Sequence, residues 1–341
     1  MTTFISPASE VVSGGHVYNR AVLEARSGDS GEAADHVRLP GDWPDGPGTA
    51  TTLASALAGC ASAVVDGLAG AAHPEVLDAA ERAGTRITLL IHLPLPDETG
   101  LSPARREDLA RRERAAVLAC SRVVATSRTA AADLAQRYGR EDVIVAAPGA
   151  RPAPESNGST PPLVLCLAAI VPRKNHRVLA EALGLMGHRS WTAVFAGPDG
   201  DHDTVADVES ALVTAGVADR VSRPGEVGGA ALEELWDSAD VLVLPSLAET
   251  YGLVVTEALA RGVPVVVAAG TGAVEALGDG PGPDPGIAVD ARDPRALALA
   301  LDTVLSDPTW KTLALRRRPH LRGWTTPAEI LFGPTPSRHH P

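Results

Sequence analysis

The chain has 341 residues, 45% hydrophobic and 21% charged, with a net charge of −12. That length suits two domains of about 150 residues each, and the composition is that of a globular rather than a disordered protein. The acidic balance argues against nucleic acid as a partner, because phosphate backbones are gripped by clustered Lys and Arg.

The first residues, "MTTFISPASE", have no basic region leading into an apolar one, so a secretory signal is not expected. No apolar run approaches the roughly 20 residues that cross a bilayer. Cys60, Cys120 and Cys166 show neither paired nor metal-like spacing and read as small buried hydrophobes of a reducing cytoplasm. Lys174 and Lys311 are the only lysines. With abundant Ala, Gly and Pro, this suits a GC-rich genome and makes a lysine inside a motif notable.

In chain order, "VSGGHVYNRAVLEA" (12–25) places Gly14 and Gly15 between a first strand and a first helix, which Tyr18 and Asn19 open. Glycines there let backbone approach a ligand closely, although a bare Gly-Gly also serves a simple turn. Apolar strand candidates follow at 62–69, 86–94, 122–127 and 142–149, with helical stretches at 101–119 and 128–137. In "LLIHLPLPDETGLS" (89–102), His92 ends a buried strand, where it is either a satisfied structural residue or a site residue. The segment 101–118 carries five arginines interleaved with Glu107, Asp108 and Glu113, a solvated helix face rather than a lipid anchor.

"ARPAPESNGSTPP" (150–162) has linker chemistry and marks a domain boundary. Beyond it strand candidates recur at 163–170, 191–198, 240–246, 263–269 and 286–290, with helices near 174–186, 203–215, 229–238, 252–261 and 294–306. The alternation predicts an α/β protein of two doubly wound Rossmann-like domains facing a cleft, with ligands outside the carboxyl ends of the strands.

Three stretches of the second half fall at such ends. In "AAIVPRKNHRVLAEAL" (168–183), Arg173 and Lys174 follow a strand just before a helix, where two cations can meet a diphosphate. "PDGDHD" (198–203) holds Asp199, Asp201 and Asp203, a spacing that resembles the metal-binding DxD of GT-A transferases. It also opens a helix, where acidic residues suit the dipole, and no metal site is assigned to it. In "SLAETYGLVVTEALARGVPVV" (246–266), Glu249 stands at the mouth of a helix and Glu257 lies inside it. Carboxylates accept hydroxyl donors, and helix starts hold phosphates. Spacing alone does not separate a ligand clamp from two solvated charges.

The whole string resembles the donor motif of retaining GT-B glycosyltransferases of family 4, E-x-[FY]-G-L-x-x-x-E-A-x-A-x-G-x-P-V, met without gaps from Glu249 to Val265. The resemblance implies a donor-binding set of Gly14, Gly15, Arg173, Lys174, Val227, Glu249, Tyr251, Gly252, Leu253 and Glu257, with His92, Lys174 and Glu249 catalytic. In that set Glu249 holds sugar hydroxyls, backbone at Gly252 and Leu253 meets the sugar and diphosphate, and Glu257 takes the ribose. Val227 ends a Gly225–Val227 segment that meets the base through backbone. The family commonly has G-R-L-x-x-x-K at the second stretch; Ala169 stands where its arginine falls, and Arg173 is the substitute on offer. Relatives often read H-H-P-L where this chain has His92-Leu93-Pro94-Leu95.

The implied organisation is an acceptor-side domain over 1–150, rejoined by a C-terminal helix at about 310–332, and a nucleotide-sugar domain over 151–309. The implied activity moves a sugar, with retention, from a nucleotide-diphosphate sugar to a small-molecule acceptor, in natural-product biosynthesis on the strength of the GC bias. No cofactor or metal is required; the enzyme is expected to be cytoplasmic and off the membrane, with homo-oligomerisation left open. The alternatives are a degenerate, non-catalytic GT-B subunit and a phosphorylase or epimerase of the same fold.

Overall fold

The computed structural model of the chain describes residues 2–8, 13–28, 35–98 and 100–333. Val12 and Thr99, which belong to two stretches singled out above, lie outside the described residues, as do Met1, Ser9 and Glu10 of the N-terminal reading. The chain divides into two compact units, Met1–Gly149 with Gly323–Pro341, and Ala150–Arg322.

The first unit runs β1 (Thr2–Pro7), α1 (Gly14–Ser27), β2 (His36–Leu39), α2 (Thr49–Leu57), β3 (Ser62–Asp66), α3 (Gly67–Gly70), α4 (Pro74–Arg82) and β4 (Arg86–Ile91). It continues with α5 (Pro103–Ala119), β5 (Arg122–Ala125), α6 (Arg128–Tyr138) and β6 (Ile144–Val145). Its six strands lie in the order β2-β1-β3-β4-β5-β6, and every pairing is parallel. The apolar runs become the inner strands because a parallel sheet covered by helices buries both faces. Ile5, Val65, Leu89 and Val123 are fully buried in the resulting core.

The second unit runs β7 (Leu163–Leu167), α7 (His176–Leu185), β8 (Thr192–Ala196), α8 (His202–Thr214), β9 (Val221–Gly225), α9 (Gly229–Ser238) and β10 (Ala239–Leu244). It ends with α10 (Leu253–Ala260), β11 (Val265–Ala268), α11 (Ala273–Gly278), β12 (Gly286–Val289), α12 (Pro294–Ser306) and α13 (Thr309–Arg317). Its strand order is β12-β11-β10-β7-β8-β9, again all parallel. Val164, Phe195, Val241 and Val266 lie at the centre of its core.

The last helix, α14 (Thr325–Phe332), belongs to the first unit and packs on α1. The return to that unit begins at Gly323 rather than at about 310, a correction with a local cause. The Arg317 guanidinium is buried in the second unit, donating to the carbonyls of Leu277 (2.8 Å), Asp279 (3.1 Å) and Pro283 (3.2 Å). Those bonds hold α13 where it is.

The order in which strands are added across the sheet reverses between β1 and β3 in the first sheet and between β7 and β10 in the second, although all strands stay parallel. At such switch points the connecting loops diverge to opposite faces and leave a crevice beyond the strand ends. The residues that matter below sit there. Among the described residues, no helix is long and apolar enough to cross a membrane.

Candidate functional site

In the second unit, the loops after β7 and β10 flank the switch point. After β7 the chain makes a short 3₁₀ turn, Pro172–Lys174, and reaches α7 through Asn175 at φ 59°. A left-handed conformation costs a non-glycine residue about 1–2 kcal/mol. Asn175 offsets this by donating its side-chain amide to the carbonyls of Pro245 (3.2 Å) and Ala291 (2.7 Å), which ties the turn to the loop after β10. The tie is doubled where the Leu247 N–H donates to the Arg173 carbonyl at 2.8 Å.

The turn aims both its cations at one carboxylate. The Lys174 ammonium donates to Glu249, and an Arg173 Nη1 lies 3.8 Å from the same oxygen while donating to the Ala248 carbonyl at 3.2 Å. All three side chains are largely covered, at 16%, 18% and 10% exposure for Lys174, Arg173 and Glu249. The Nε of Arg173 and the hydroxyl of Ser246 are buried with no partner among the described residues. Three charged groups therefore meet at one place, and the two cations exceed the carboxylate.

Helix α10 starts beside them. Gly252, at φ 81°, is its N-cap, and an added Cβ would stand 3.0 Å from Leu244. Leu253 is the first helical residue and carries free N–H character at the positive end of the helix. The Glu249 loop is pinned from the far side by the Gly272 N–H, which donates to the Glu249 carbonyl at 2.8 Å. Tyr251, expected among the donor contacts, turns inward instead: it is 2% exposed and its hydroxyl donates to Asp279 at 3.4 Å. Its side chain packs the loop, and burial raises its pKa.

Glu257 lies one turn into α10, partly buried. Burial raises its carboxyl above the usual range; Glu233 adds to this, while Arg261 and Arg151 oppose it. Val227 is half-buried in the loop between β9 and α9, just past Gly225 at φ 78°. Ala169 lies in the loop after β7, where the Ile170 N–H donates to the Pro198 carbonyl at 2.9 Å. Of the acidic run, Asp201 caps α8 through the Thr204 N–H at 2.7 Å, and Asp199 stands 4.0 Å from Arg223.

In the first unit, Gly14 and Gly15 are the first two residues of α1, not a loop before it, and Ser13 caps the helix. Tyr18 and Asn19 are buried within the helix rather than at its start. The shift has a use: a Cβ on Gly15 would stand 3.1 Å from the His92 ring. Tyr18 packs edge-on to the same ring, with centroids 5.0 Å apart, and donates its hydroxyl to the Ala146 carbonyl at 2.8 Å.

His92 is held by two groups that sequence reasoning missed. Its Nε2 is 2.8 Å from Asn19 Oδ1 and 3.5 Å from Asp66 Oδ2, and Asn19 donates to that Asp66 oxygen at 2.6 Å. Asp66 also accepts the Leu68 N–H at 2.9 Å. An ionised carboxylate only accepts, so Asn19 must present its amide N–H to Asp66 and its carbonyl oxygen to His92. That polarity places a proton on Nε2. The hydrogen bonds from Asn19 and His92 keep the buried Asp66 carboxyl below the usual range despite the opposing effect of burial, the largest single influence. The available signal was an acidic residue ending the apolar run "SAVVD".

Residues 161–307 match the model of the family described as glycosyl transferases group 1. The chain is 32% identical to the D-inositol 3-phosphate glycosyltransferase of Xylanimonas cellulosilytica over 215 residues, 57% of this chain and 51% of that protein. It is also 32% identical to the D-inositol 3-phosphate glycosyltransferase of Kineococcus radiotolerans over 251 residues, 64% of this chain and 57% of that one. The matches thus span little more than half the length of these relatives. Two solved structures share the fold over nearly the full chain. Sucrose-phosphate synthase from Thermosynechococcus elongatus superposes with a TM-score of 0.78 at 19% identity, covering 97% of each chain. Anabaena HepE in complex with UDP-glucose superposes at 0.70 and 18% identity, covering 97% of this chain and 95% of that one. The chain therefore has the GT-B fold, and within its second unit residues 161–307 match the group 1 model.

Proposed function

We propose that the protein is a retaining glycosyltransferase of family 4, moving a sugar from a nucleotide-diphosphate sugar to a hydroxyl of a small acceptor. The observation that carries this is the convergence of Arg173, Lys174 and Glu249 beside the start of α10. Charge develops on a diphosphate as it leaves, and preorganised cations and helix N–H groups stabilise it most when water is excluded. Lys174 and Arg173 are already aimed, so no reorganisation is needed as the bond breaks.

Glu249 has two roles in this reading. One oxygen holds Lys174; the carboxylate keeps further acceptor capacity for sugar hydroxyls. It orients the sugar rather than attacking it. The acceptor hydroxyl attacks on the face the diphosphate leaves, and its proton passes to a donor phosphate oxygen. Glu257 receives the ribose hydroxyls, and backbone near Val227 meets the base. His92, with its tautomer set by Asn19 and Asp66, hydrogen-bonds the transferring sugar. The positive charge comes from these side chains, and the proposed reaction calls on no metal or cofactor. That HepE was solved with UDP-glucose supports a nucleotide-sugar donor.

The test is a thermal-shift and nucleotide-release screen across UDP-, GDP-, ADP- and TDP-sugars. At least one is expected to stabilise the protein, and Glu249→Gln to weaken both donor affinity and transfer. Stabilisation by none, or an unchanged Glu249→Gln, overturns the reading. Ala169 at the position of a phosphate-binding arginine favours a second reading, a donor-binding subunit without turnover. Donor binding with no nucleotide release over a broad acceptor panel would select it.

A further inference from the structure

The first unit holds a second feature that the donor chemistry does not use. An open pocket of about 680 Å³ runs along one face of α1 against the ends of β1 and β2. Positions 16, 20 and 24 share that face because the helix repeats every 3.6 residues. Across from them, Ser6 of β1 is in register with Arg38 of β2, and His36 lies on the same side of β2 as Arg38. The walls therefore bring together Arg20, Arg38, His16 and His36, with Ser6 between them and Glu24 as the one carboxylate of the lining among the described residues.

In a chain with a net charge of −12, Arg20 and Arg38 bring two positive charges to one pocket. Many arginines of the first unit are spent on carboxylates: Arg105 and Arg112 on Asp45, Arg137 on Asp97, Arg140 on Asp142. Arg20 and Arg38 have no ion pair among the described residues. The His36 ring is hydrogen-bonded to Ser6 at 3.0 Å, and its pKa is lowered by burial first and by the Arg38 charge second, with Asp35 opposing. An oxyanion placed here would relieve that repulsion and find two guanidiniums, each able to fork onto two oxygens.

The pocket also has a direction. Asn19 lies in its wall and is the residue that accepts from His92 Nε2 at 2.8 Å. A ligand anchored on the two arginines thus extends toward the end of the first sheet where Asn19, Asp66 and His92 meet. We propose that this pocket binds a phosphoryl group on the acceptor, so that the acceptor class is a phosphate monoester presenting its hydroxyl at the Asn19 and His92 end. The proposal deepens the glycosyltransferase reading above and rests on it for the word acceptor. The phosphoryl site itself does not.

The test uses the full-length protein and inorganic phosphate as probe, by calorimetry, with saturating UDP present to occupy any diphosphate site of the second unit. The double variant Arg20→Gln/Arg38→Gln is compared with Arg86→Gln/Arg114→Gln, which removes the same charge from exposed positions of the same unit. The expected result is saturable phosphate binding to the wild type, weakened at least tenfold by the first pair and within twofold by the second. Circular dichroism and melting check that both variants fold. No saturable binding to the wild type, or equal loss in the two variants, overturns the proposal. UDP failing to bind counts against the donor reading alone, because the comparison between variants still locates the phosphate. Two further arms identify the source of the phosphoryl group. Binding of glycerol phosphate without sedimentation on phosphatidic-acid vesicles assigns a soluble acceptor. Vesicle sedimentation lost in Arg20→Gln/Arg38→Gln assigns a lipid headgroup.

Discussion

Asp66→Asn changes one atom in the group that sets the polarity of the His92 network. In the wild type Asp66 accepts from Asn19 at 2.6 Å and from the Leu68 N–H at 2.9 Å, so every donor points toward it. An amide in its place keeps the bond from Leu68 but faces Asn19 with a second donor. Asn19 then has two options. If it stays, two amide N–H groups oppose each other in a buried site, which costs about 1–3 kcal/mol. At about 2–4 °C per kcal/mol for a unit of this size, melting falls by roughly 2–12 °C. If Asn19 flips, its N–H meets His92 Nε2, and the ring must move its proton to Nδ1. Either way, the group His92 presents to a ligand changes. The variant is measured by melting, by ¹⁵N shifts of the labelled ring, and by donor KM and kcat. The expected pattern is a wild-type ring protonated at Nε2, with kcat falling more than donor KM rises in the variant. A wild-type ring unprotonated at Nε2, or a variant matching the wild type in ring tautomer, melting and kcat, would refute the reasoning.

Two other perturbations follow from buried groups. Glu113 accepts the Leu95 N–H at 2.7 Å and the Tyr138 hydroxyl at 2.8 Å, yet burial dominates and raises its pKa from 4.5 to about 7. A raised carboxyl stabilises the fold below pH 4.5, and that contribution is lost as pH rises through about 7, on the order of 3 kcal/mol in all. Urea midpoints of the wild type are therefore expected to fall between pH 5 and 8, and those of Glu113→Gln to stay nearly level; parallel profiles would contradict this. A methyl group on Gly272 would meet the Thr250 carbonyl oxygen at 1.9 Å, so Gly272→Ala must displace the loop that carries Glu249. Affinity for the stabilising nucleotide sugar, read by calorimetry, is expected to drop at least tenfold with the fold intact, and unchanged affinity would count against the placement of that loop.

Much of the fold was legible where burial writes itself into composition. The runs at 62–69, 86–94, 163–170 and 240–246 are inner strands, and their continuous apolar character follows from being covered on both faces. The strands at His36–Leu39 and Val221–Gly225 escaped notice, and both lie at sheet edges. Edge strands face solvent on one side, so "HVRL" and "VSRPG" show no apolar run, and the second tolerates Pro224. The turn and helix start at residues 246–253 were legible for another reason: their glycine and charged residues are local requirements of one turn and one helix start. Gly252 adopts φ 81°, a conformation that glycine takes without steric cost.

By itself, the sequence determined the alternation of strand and helix, the linker between the halves and the chemistry grouped along residues 246–266. Only the tertiary structure decided which residues far apart in the chain meet. Asp66 meets Asn19 across 47 positions, His92 meets Asn19 across 73, and Glu249 meets Lys174 across 75. The strand order that brings these loops together is a property of sheet packing. It leaves no periodicity in the chain, so the sequence alone assigned no role to Asp66, Arg20 or Arg38.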